Sequence, residues 1–138
     1  MIKLARGSAL IGLLFILVSC AVVPRTSTWD APREVGKAKV FNAVLQAGGQ
    51  SGYATTSSDR DSGTASFSRK IGRGDMILSV RVQDAGGVTK VSTTANYAGT
   101  VAIAGLHEES IRNFHVLLFR NLDISDPEKS RLLIQELK

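Results

Sequence analysis

The stretch that decides the fold is Gly63–Tyr97, GTASFSRKIGRGDMILSVRVQDAGGVTKVSTTANY. It holds three runs in which apolar and polar residues alternate with a period of two. From Gly63 to Ile71, Ala65, Phe67 and Ile71 alternate with Thr64, Ser66, Ser68 and Lys70. From Asp75 to Gln83, Met76, Leu78, Val80 and Val82 alternate with Ile77, Ser79, Arg81 and Gln83. From Val88 to Tyr97, Val91, Thr93, Ala95 and Tyr97 share one side, and Lys90, Ser92, Thr94 and Asn96 the other. A period of two with one apolar side is the pattern of a half-buried strand. The links Gly72-Arg73-Gly74 and Asp84-Ala85-Gly86-Gly87 are turn chemistry, too short for a helical crossover, so the strands are antiparallel and consecutive.

Upstream, Asp59-Arg60-Asp61-Ser62-Gly63 is a further turn, and Tyr53-Ala54-Thr55-Thr56 reads as a first strand. Before it the period is helical. Asp30 followed by Pro32 reads as a helix start, and Ala38, Phe41, Val44, Leu45 and Gly48 form an apolar stripe. The helix is expected over about 31–47, ended by Gly48-Gly49. Downstream, a second helix is expected over about 105–121, with His107, Ile111, Phe114, His115, Leu118 and Leu122 on one side. Ser125-Asp126-Pro127-Glu128 has capping-box spacing and opens a short last helix. The expected fold is α+β in two layers. A four-stranded antiparallel meander is covered on its apolar face by an N-terminal and a C-terminal helix, with a short final helix.

The N-terminus has a different character. Residues 1–20 read MIKLARGSALIGLLFILVSC, with Lys3 and Arg6 ahead of an uncharged apolar run, as in a secretory signal peptide. Leu17-Val18-Ser19-Cys20 resembles the lipobox of bacterial lipoproteins. The resemblance implies a diacylglyceryl group on the Cys20 sulfur, cleavage before Cys20 and acylation of the new amine. It also implies attachment to the cell envelope. With Ala21 rather than Asp next, it implies the outer membrane facing the periplasm. A retained membrane helix is the rival reading, but the uncharged run Gly7–Val23 is short for a span of about 20 residues. The expected organisation is a signal peptide over 1–19, a lipidated tether over 20–29 and one α+β domain over 30–138. Trp29, the only tryptophan, is expected in the core or at lipid headgroup level.

Cys20 is the only cysteine, so no intramolecular disulfide forms. Lys3 and Arg6 belong to the leader, and what remains is only modestly basic, with no basic stripe interleaved with aromatics. Nucleic acid is not an expected partner.

No catalytic set is legible, and no enzyme is expected. His107 and His115 share a helix face but lie about 12 Å apart along its axis, too far for one metal. Each reads as a hydrogen-bonded histidine at the helix–sheet boundary. Gly49-Gln50-Ser51-Gly52 lacks the last glycine of a nucleophile elbow. Gly72-Arg73-Gly74-Asp75 lacks a dinucleotide fingerprint and reads as a turn. No cofactor or metal is expected.

The domain resembles the small α+β helix-grip domains of envelope lipoproteins such as the outer-membrane assembly lipoprotein BamC. The resemblance rests on the helix end Leu45-Gln46-Ala47-Gly48, on Asp61-Ser62-Gly63 leading into a strand, and on the strand, Gly-rich loop and helix of Thr89–Leu122. The anchor, the lack of a catalytic set and apolar surfaces without a partner point to a non-enzymatic binding or assembly module with an envelope protein partner. Val101 and Ile103, in the apolar loop 99–105, and Val116 and Phe119, off the main helix stripe, are the candidate partner-binding residues. The alternative is a lipid- or small-molecule-binding module with a helix–sheet groove lined by Phe67, Val80, Tyr97 and Phe114.

Overall fold

The computed structural model describes residues 24–99 and 104–124. The elements are β1 (Arg25–Asp30), α1 (Lys37–Gln50), β2 (Ala54–Asp59), β3 (Thr64–Ile71), β4 (Gly74–Ala85), β5 (Val88–Ala98) and α2 (Leu106–Asn121). The strands form one antiparallel sheet in the order β1-β5-β4-β3-β2. Both helices pack on one face. The fold is α+β with an antiparallel sheet, as expected, but with five strands instead of four.

The fifth strand lies where a tether was expected. Arg25–Asp30 pairs with β5 in the register Ser27↔Thr93 and Trp29↔Val91. Ser27 and Trp29 are buried, while Thr26 and Thr28 face out. Thr is a good strand former, and Thr26 Oγ1 lies 3.0 Å from Thr94 Oγ1 across the pair. Trp29 is 7% exposed, its ring centroid 4.8 Å from that of Phe119, so it belongs to the core.

This strand also moves the helix start. Asp30 is held opposite Lys90, and the Ala31 amide donates to the Thr89 carbonyl at 2.8 Å. The chain then turns, with the Val35 amide donating to the Pro32 carbonyl. Asp30 therefore caps nothing. The N-cap is Gly36, without a side-chain cap. The buried face of α1 is Val40, Phe41, Ala43, Val44, Ala47 and Gly48; Ala38 is exposed and Leu45 half-buried. Gly48 lies inside the helix and packs on Phe67: a Cβ there would stand 2.8 Å from the ring Cζ.

The three alternating runs form β3, β4 and β5 on nearly the expected bounds. Phe67, Met76, Leu78, Val82, Val91 and Ala95 are fully buried beneath the helices. Each large side chain removed from water in this way contributes about 1.5–3 kcal/mol. β2, expected from Tyr53, starts at Ala54, bulges between Thr55 and Ser57 and is exposed throughout, as suits an edge strand. Tyr53 precedes it and is buried. The expected last helix, Cys20, Val101 and Ile103 lie outside the described residues.

Candidate functional site

A groove of about 310 Å³ opens between the flank of α2 and the corner where α1 ends, β2 begins and β3 ends. On α2 it is walled by Leu106, Glu109, Ser110, Asn113 and Leu117, residues three or four apart and thus on one side of a helix. Facing them are Ser51, Tyr53, Arg69 and Ile71. The volume is at the lower end of the range for small-molecule sites, about 300–1,000 Å³.

Arg69 gives the groove its charge. Strand alternation sets it on the helix side with Phe67 and Ile71, and sets Lys70 on the open side, opposite Asp75 in register. The guanidinium crosses to the end of α1, where Nη1 donates to the Ser51 carbonyl at 3.0 Å. A cation at a helix C-terminus meets the negative end of the helix dipole. Gly52, with φ 82°, lets the backbone turn beneath the guanidinium. Tyr97 steadies the β3 end, its hydroxyl donating to the Ile71 carbonyl at 2.7 Å. Ser110 is 7% exposed, and Glu109 is exposed on the α2 side. The groove thus offers a cation on one wall, a carboxylate on the other, and apolar surface from Tyr53, Ile71, Leu106 and Leu117.

The four residues expected to line a groove do not line this one. Phe67 and Phe114 are fully buried with ring centroids 6.0 Å apart, Val80 is 2% exposed and Tyr97 8%. They are core. Of the candidate partner-binding residues, Phe119 is also core: it is 4% exposed, packed on Trp29 and 5.8 Å from the His115 ring. Val116 is the one exposed large hydrophobic among the described residues, at 41%. Arg69, Ser110 and Leu117 were not anticipated.

The histidines differ. His115 is 2% exposed, and its Nε2 lies 3.1 Å from Thr93 Oγ1. Burial lowers its pKa to about 4, so the ring is neutral near pH 7. Thr93, not a carboxylate, is its partner. His107 is half-buried, and its Nε2 has no hydrogen-bond partner among the described residues. Ser51, in the incomplete elbow sequence, donates its hydroxyl to the Ala47 carbonyl at 2.7 Å and helps close α1. Among the described residues no three His, Cys, Asp or Glu side chains are grouped to hold a metal, and no helix is long and apolar enough to cross a membrane.

Solved structures similar to the chain include the following two. One is the crystal structure of Ara h 8.0201, with a TM-score of 0.55 and 12% identity over 75% of this chain and 99% of that one. The other is the crystal structure of TTHA0849 from Thermus thermophilus, with a TM-score of 0.51 and 14% identity over 75% of this chain and all of that one. At such identities the likeness shows the fold alone. No protein-family model matches the chain, and no curated protein does.

Proposed function

We propose that the chain is a membrane-anchored envelope lipoprotein, acylated on Cys20, whose domain is a non-enzymatic binding module. The groove beside Arg69 is its binding site. The observation that carries the groove reading is the meeting of Arg69 and Glu109 with Tyr53, Ile71, Leu106 and Leu117 around about 310 Å³ of open space. A cation and a carboxylate fix the orientation of a ligand, while apolar walls supply its affinity. A small amphiphile with a polar head fits that lining. The lipobox Leu17-Val18-Ser19-Cys20 supports the anchor, and Ala21 supports the outer membrane, facing the periplasm.

A second reading is an assembly module that docks an envelope protein. Val116, exposed on the outer side of α2, favours it. One experiment separates the two. A photo-crosslinking residue is placed at Leu117, in the groove, or at Val116, outside it, and activated in intact cells. The groove reading expects a small-molecule adduct at position 117 and none at 116. A protein adduct at 116 alone supports the docking reading, and no adduct at either position refutes both.

A further inference from the structure

The number of residues between the proposed anchor and the sheet limits how far one end of the sheet can stand from the membrane. Arg25, the first residue of β1, lies five residues after Cys20. Whatever path the chain takes between them, its reach is at most about 18 Å. Arg25 stands nearest the sheet end where β3 stops, β4 begins and β5 stops. Arg25 pairs with Ala95, three residues short of the end of β5, so that end lies about 10 Å beyond Arg25. With the strands upright, it stands within about 8 Å of the plane that holds the acyl chains. The Asp59–Gly63 turn, at the other end, is about 23 Å further out along β3.

We infer that the end of the sheet carrying the Ile71–Gly74 turn and the start of α2 faces the anchoring bilayer and lies against its lipid headgroups. This rests on the acylation of Cys20. The groove begins at the same end, since Ile71 and Leu106 are the last residue of β3 and the first of α2. Charge alone does not orient the domain. Arg25, Arg69, Lys70 and Arg73 at this end are opposed by Asp75, Glu108 and Glu109, and Arg25 Nε is already 3.5 Å from a Glu108 oxygen. An excess of one cation near an anionic surface contributes about 1 kcal/mol. The orienting element is the short tether.

The test uses the full processed chain in vesicles of phosphatidylethanolamine and phosphatidylglycerol. Acylation consumes the Cys20 thiol, so Arg73→Cys and Asp61→Cys each carry a single site for a fluorescent label. Quenching by lipids spin-labelled on the headgroup is expected to be several-fold stronger at position 73 than at 61. Inserting 20 Gly/Ser residues after Ala21, which gives about 25 Å of root-mean-square reach, is expected to erase the difference. Equal quenching, or stronger quenching at 61, overturns the orientation. A difference that survives the insertion overturns the tether as its cause. Labelling of the otherwise unaltered chain at Cys20 overturns the anchor itself, a failure distinct from the other two.

Discussion

His115 makes the fold sensitive to acid in a pH window that can be calculated. Its ring is buried among Phe114, Phe119 and Thr93, and burial lowers its pKa from 6.5 to about 4. An unfolded chain binds this proton below about pH 6.5, the folded chain only below about 4. Between those values the unfolded state holds more protons, so stability is complete above 6.5 and falls as the pH drops toward 4. The loss is about 2 kcal/mol by pH 5 and about 3 kcal/mol by pH 4. Trp29 supplies the assay, since it is the only tryptophan and sits in the core. Urea unfolding followed by its fluorescence is measured at pH 7.5 and 5. The comparison is with His115→Leu, which leaves Thr93 without its partner at both pH values but removes the proton. His107 and the carboxylates are common to both chains and cancel. Asp59, whose pKa is lowered by hydrogen bonds from Ser62 and then Asp61, acts only near and below 3.8. The unsubstituted chain is expected to lose about 2 kcal/mol more than the variant between the two pH values. Equal losses would refute the claim that His115 is buried and neutral.

Two further substitutions test the packing. Gly48→Ala lies inside a helix, where alanine is ordinarily better by about 1 kcal/mol, but here the Cβ would run into Phe67. Overpacking costs about 1–3 kcal/mol and is expected to win, lowering the urea midpoint; a raised midpoint contradicts the contact. Phe119→Ala is expected to cost about 3–5 kcal/mol, as loss of a core aromatic does, whereas Val116→Ser is expected to change stability by less than about 0.5 kcal/mol. Similar small effects at both positions would return Phe119 to the surface.

What was legible in the sequence follows from how many faces of each element are buried. β3, β4 and β5 bury one face each, so alternation names them. β2 buries neither face, so no alternation marks it, and only the short stretch Tyr53-Ala54-Thr55-Thr56 before a turn pointed to it. β1 has six residues and one large apolar side chain, and beside Pro24 it passes for a tether. Its pairing partners are sixty to seventy residues away, and only that contact reveals that Asp30 ends a strand rather than starts a helix. The groove left one signal. In the run Ala65, Phe67, Arg69, Ile71, a charge interrupts the apolar side of a strand, and that charge proves to reach across to α1. Ser110 and Leu117 left none, because their place in the groove depends on how α2 lies across the sheet.

The central claim is that Cys20 ties this domain to a membrane, and the direct measurement is the mass of the N-terminal peptide from membrane-fractionated cells. The expected result is a chain that starts at Cys20 and carries a diacylglyceryl group, with Cys20→Ser left uncut or released from the membrane. An unmodified Cys20 peptide, or a Cys20→Ser chain still processed and membrane-bound, would contradict the account.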